Sequence, residues 1–92
     1  MEKNPTERFA REMLLSWMMN WEGQRIYREA CEEANKDTSA HDEAPWQYRM
    51  DIGNRMQDNA DAMTVDVERR ARAAGVDVTD MLNLVDQSKV RP

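Results

Sequence analysis

The sequence predicts an all-α fold: two long antiparallel helices forming a helical hairpin, followed by a short C-terminal helix. Three observations point there. Apolar residues recur at helical spacing through two stretches of about thirty residues each. Start and stop residues of the helical kind bracket both stretches. The polar segment joining them, residues 36–42, is short enough to force an antiparallel return.

The first helix is expected over about 5–35. Asn4 can cap it, Pro5 suits the first helical position, and Glu7 stands third, completing a box-like start. Arg25/Glu29, Arg28/Glu32 and Glu32/Lys36 are four apart and can pair on a solvated face. Gly23 leaves two options. The helix breaks there, or it continues at a cost of about 1 kcal/mol against Ala. If it continues, Leu15, Met19, Gly23, Ile26, Ala30 and Ala34 form one nearly straight stripe facing the second helix.

The second helix is expected over about 43–74. Asp42 can cap it, with Pro45 inside the first turn, where a missing N–H costs little. Ile52, Met56, Ala60, Met63, Val67, Ala71 and Ala74 make its stripe, the strongest periodic signal in the chain. Gly75 should end the helix as a left-handed cap, with Val76 folding back on the last turn. Asp77 or Thr79 can then cap a third helix over about 78–87, with Val78, Met81, Leu82 and Val85 on one face. Residues 88–92 should fray.

Ninety-two residues make a single helical domain, 1–92. Its core is thin: Leu, Ile, Val and Phe together number 13, while charged residues are 34%. That balance leans towards disorder. Eight Met, three Trp and the helical spacing oppose it, and the stability of so small a core is expected to draw on association. A lone hairpin leaves much apolar surface open, so two copies are expected to dimerise into a four-helix bundle.

Net charge is −5, which weighs against general binding to nucleic acid or anionic membrane and suits a basic protein surface. The one cysteine, Cys31, excludes an internal disulfide and fits a reducing compartment. Met1 to Pro5 leads straight into a charged helix start with no signal-peptide pattern, and no apolar run approaches a membrane span. A cytoplasmic protein is expected.

The segment Met13–Trp21 carries apolar residues around far more than half of a helix. It resolves into two faces. Leu15 and Met19 belong to the hairpin stripe. Leu14, Trp17, Met18 and Trp21 lie on a neighbouring face that nothing else in the chain clearly covers. Trp is enriched at interface hot spots and Met-rich surfaces adapt to partners. These four are therefore the candidate protein-interface residues. The same face could instead close a homodimer core or lie under the third helix.

Other chemistries find little support in the sequence. Ala71, Gly75, Val76, Met81 and Leu84 fall where a helix-turn-helix at 71–84 would want a small residue, a turn and core positions. Its recognition helix would carry Asp77, Asp80 and Asp86 and no Lys or Arg before Lys89, so it would repel phosphate. The basic run Glu68-Arg69-Arg70-Ala71-Arg72 reads as a solvated helix face, with Asp66 and Glu68 four residues before Arg70 and Arg72. One His and one Cys, His41 and Cys31, cannot build a structural zinc site. Glu29, Glu32 and Glu33 beside Cys31 are the wrong electrostatics for a thiolate nucleophile. The carboxylates at Glu29, Glu32, Glu33, Asp58 and Asp61 lack the Glu-x-x-His pairs of a metal-binding bundle. No glycine-rich phosphate loop, calcium loop or serine elbow is present. No catalytic, cofactor or metal residue is assigned.

The expectation is a non-enzymatic interaction module, a small inhibitor or adaptor of the kind carried by phages and mobile elements, for example against an immune system. It would sterically block a host protein through a basic or apolar groove, and would act as a homodimer. The first alternative is a small DNA-binding regulator using 71–84. The second is a structural or assembly protein acting as a homodimer.

Overall fold

A computed structural model of the chain describes residues 4–36 and 45–85. They form three helices, α1 (Pro5–Lys36), α2 (Pro45–Ala73) and α3 (Val78–Asn83). The predicted linker, the Asp42 cap, His41 and the C-terminal tail lie outside the described residues. The molecule is a rod of 56 × 23 × 23 Å, so one short helix can cover only one end of it.

The helix ends follow their local chemistry. Asn4 Oδ1 accepts from the Thr6 N–H at 3.0 Å, and the Asn4 carbonyl accepts from Arg8 N–H at 3.3 Å. α1 then passes through Gly23 unbroken. At the far end of α2, Gly75 adopts φ +78°, Gly75 N–H donates to Arg72 O (3.0 Å) and Val76 N–H to Ala71 O (2.9 Å). This is the Schellman pairing, and Val76 and Ala71 are both buried in one apolar cluster. Asp77 caps α3, its Oδ1 accepting from Asp80 N–H at 3.1 Å.

α3 is shorter than the sequence suggests. The N–H groups of Leu84 and Val85 donate to Met81 O and Leu82 O, three residues back, at 3.1 Å each. That tighter turn closes the helix at Asn83. Leu84 is left 52% exposed.

α1 and α2 run antiparallel along one another. Cross-helix contacts fix the register: Arg70 donates to Glu12 (2.7 Å), Thr64 Oγ1 lies 3.0 Å from Ser16 Oγ, Asn20 donates to Asp61 (3.2 Å), and Arg49 pairs with Glu33. As the α1 number rises, the α2 number falls.

The seam between the helices is built from small residues in steps of seven. Ser16, Gly23 and Ala30 are buried on α1, as are Gly53, Ala60 and Val67 on α2. A repeat of seven is the coiled-coil period of 3.5, and it keeps one seam facing the partner helix. Ser16 is fully buried, and its hydroxyl donates to Met13 O at 2.7 Å.

This seam corrects the predicted α1 stripe. Gly23 and Ala30 belong to it, but Leu15 is 56% exposed, and Met19 and Ile26 are only half-buried. On α2, Ala60, Val67 and Ala71 are buried as expected. Gly53 takes the inward place given to Ile52, which is 48% exposed, and Ala74 is exposed too. The reason is steric. Where glycine, alanine and serine face each other, the backbones approach so closely that a large side chain cannot fit between them. The larger residues are displaced to the flanks.

The bulky core sits at the open end of the hairpin. Phe9, Ala10 and Met13 of α1, Val67 and Ala71 of α2, and Val76, Met81 and Val85 form one buried cluster. Phe9, Met13 and Met81 are its largest fully buried side chains.

Candidate functional site

The register divides the surface of the hairpin into two flanks. On α1, residues 12, 19, 26 and 33 stand seven apart beside the seam; on α2, residues 49, 56, 63 and 70 do the same. Glu12 pairs with Arg70 at one end and Glu33 with Arg49 at the other. Helical geometry then sets Met19 beside Met63 and Ile26 beside Met56 between those ion pairs. All four are half-buried. Leu15 and Ile52, one position further out, are exposed. The result is an apolar strip about 30 Å long (21 residues at 1.5 Å each), closed by an ion pair at both ends.

The sequence signal for this strip was present, in Ser16-x6-Gly23-x6-Ala30 and Gly53-x6-Ala60. Apolar periodicity takes in Gly23, Ala30 and Ala60 but passes over Ser16 and Gly53, because polar or very small residues face inward there.

The candidate interface residues lie on the other side of α1. Leu14 and Trp17 pack, partly buried, against the end cluster that α3 completes. The guanidinium of Arg28 stands over the Trp21 ring, 5.0 Å from its centroid. Met18 is 40% exposed. The structure therefore brings the four onto one flank, with Leu14 and Trp17 anchored from below and Met18 outermost.

Charges on the rod are largely spent within it. Arg69 and Arg70 both pair with Asp66, Arg70 also reaches Glu12, and Arg72 lies 3.7 Å from Glu68. Hydrogen bonds from Arg70 and then Arg69 hold the Asp66 carboxyl below its usual range. Arg25 bridges Glu22 and Glu29, and its hydrogen bond lowers the Glu22 carboxyl likewise. The basic run is thus a face of internal pairs, as its acidic neighbours suggest. Arg8 and Arg70 both stack on Phe9, at 4.5 and 5.8 Å from the ring centroid, and line a shallow cleft with Glu12, Ala73 and Ala74.

The segment 71–84 has the turn of a helix-turn-helix but little else of one. Gly75 is left-handed and Met81 is buried, yet Leu84 faces out and α3 has only six residues. Asp77 and Asp80 stand at the start of α3, and no Lys or Arg lies between Ala73 and Val85. Among the described residues no group of three or more His, Cys, Asp or Glu is placed to hold a metal ion. Cys31 is a free, partly buried thiol, and Glu29 and Glu33 beside it are engaged by Arg25 and Arg49. No described helix is long and apolar enough to cross a membrane.

No protein-family model matches the chain, no curated protein is significantly similar to it, and no solved structure matches it significantly.

Proposed function

We propose that the protein is a non-enzymatic interaction module that works by covering a surface on another protein. One observation carries this reading. The chain packs its long seam with Ser16, Gly23, Ala30, Gly53 and Ala60, and places Leu15, Met18, Tyr48, Ile52, Val65 and Leu84 outside. Burying apolar surface is the main favourable term in folding and in association alike. Covering these side chains with a partner adds apolar burial to what the thin core supplies.

The docking face in this reading is Trp17, Met18 and Trp21, with Leu14 beneath them. Anchoring against the end cluster and under Arg28 restrains both tryptophans before binding, which lowers the ordering cost of a hot spot. The net charge of −5 favours approach to a partner with a basic rim. Blocking would be steric, and it needs no metal: among the described residues no group of three or more His, Cys, Asp or Glu is placed to hold one. An inhibitor or adaptor of a host protein, of the phage or mobile-element type, fits this mode of action.

The test is affinity capture from cells that natively express the protein, using the full chain, Met18→Glu and Trp21→Ala, with helicity checked by circular dichroism. A stoichiometric protein held by the wild type and lost with folded variants supports docking by this face. Equal retention by all three, or no retained protein, overturns it. The same chain titrated with duplex DNA at low salt should show no binding tighter than about 10⁻⁴ M.

A further inference from the structure

We propose that the Met/Ile strip is a contact between two copies of this chain, related by a two-fold axis parallel to the helices. The strip lies on the side of α1 away from the tryptophans, so this contact stands or falls separately from the docking reading. The placement of its charges selects this arrangement. Both carboxylates that close the strip, Glu12 and Glu33, are on α1; both guanidiniums, Arg49 and Arg70, are on α2.

A face with acids on one helix and bases on the other is self-complementary under one rotation only. A two-fold parallel to the helices lays α2 of the second copy on α1 of the first. Glu12 then meets Arg70 of the second copy, and Glu33 meets its Arg49. Each end becomes a ring of four alternating charges. Between the rings Met19 meets Met63 and Ile26 meets Met56, with every neighbouring helix antiparallel. The other two-fold within the interface, perpendicular to the helices, lays α1 on α1. It sets Glu12 against Glu33 and Arg49 against Arg70, placing like charges opposite at both ends, which is costly in an interface.

The size fits as well. A strip about 30 Å long across two helices of about 10 Å each covers on the order of 600 Å² per copy. Standard stable interfaces bury roughly 800 Å² per partner. Glu22 and Asn59 supply a polar rim beside the apolar residues, Glu22 being held by Arg25. The product is a four-helix bundle whose two tryptophan faces point outward.

Light scattering coupled to size exclusion, on the full chain at tens of micromolar, should give twice the monomer mass of 10.8 kDa. The double variant Leu15→Glu/Ile52→Glu changes side chains already exposed in one copy, so it should keep its helicity while raising the dimer dissociation constant at least about 30-fold. Geometry is read by oxidative cross-linking in a Cys31→Ser background. Met19→Cys mixed with Met63→Cys should cross-link, and Met19→Cys mixed with Ile26→Cys should not. A wild-type monomer overturns the dimer while leaving partner docking intact. A double variant that remains a dimer places the contact elsewhere and overturns it too. Cross-linking of the second mixture alone overturns the axis.

Discussion

Gly23 and Gly53 face each other across the seam so closely that a Cβ added to either would lie under 3 Å from the other's carbonyl oxygen, at 2.8 and 2.7 Å. Both are mid-helix, where glycine is otherwise a poor choice. Replacing a mid-helix glycine by Ala ordinarily gains about 1 kcal/mol through helix propensity. Here the sign should invert. The new methyl meets backbone, which cannot rotate away, so the helices must part and unpack their neighbours. Gly23→Ala and Gly53→Ala should each destabilise by about 1–3 kcal/mol in urea unfolding. An unchanged or raised midpoint for both would show that the seam is looser than described.

Gly75 provides the contrast. A Cβ there meets nothing within 4 Å, but φ is +78°. The cost of Gly75→Ala is therefore conformational, about 1–2 kcal/mol, and Gly75→Asn should recover part of it because Asn tolerates that region better. If Ala and Asn prove equivalent by thermal melting, the left-handed cap is not what limits stability at this corner.

The end cluster should dominate the response to truncation. Met81 is fully buried between the helix ends, whereas Val65 is 67% exposed. Met81→Ala should cost about 2–5 kcal/mol, and Val65→Ala should stay within about 0.5 kcal/mol. Comparable midpoint shifts for the two would mean that α3 is not docked as described.

Acid should weaken the paired carboxylates in a defined window. Asp66 is held below its ordinary value of 3.8 by Arg70 and Arg69, and Glu22 below 4.5 by Arg25. A carboxyl with a lowered folded pKa contributes stability that is fully present above the ordinary value and is lost as pH falls through the lowered one. Both sites are solvent-facing, so the effect is small. Asp66→Asn should lower Tm slightly at pH 7, and the gap to wild type should narrow as pH falls below the ordinary value of 3.8. A gap that does not narrow in acid would assign the effect to packing and not to charge.

The sequence by itself determined the three helices, the start of α1, the end of α2 and the cap of α3, though not where α3 ends. Asn4, Gly75, Val76 and Asp77 act through bonds to residues within a few positions, so their roles can be read locally. The α2 stripe was legible at Ala60, Val67 and Ala71 for a related reason: periodicity along one helix is also a local property. Gly23 and Ala30 were legible on the α1 stripe as well; tertiary structure alone decided that Ser16, and not Leu15, Met19 or Ile26, faces inward with them. Helical spacing fits Leu15, Met19 and Ile26 as well as it fits Ser16, Gly23 and Ala30, and hydrophobicity favours the first set. What favours the second is close approach of the α2 backbone, a property of two helices together. That approach displaces the large side chains outward and sets Glu12 with Arg70 and Glu33 with Arg49 at the two ends of an apolar strip. The tryptophans are placed differently: Trp17 packs against the end cluster that α3 completes, and Trp21 lies under Arg28 of its own helix.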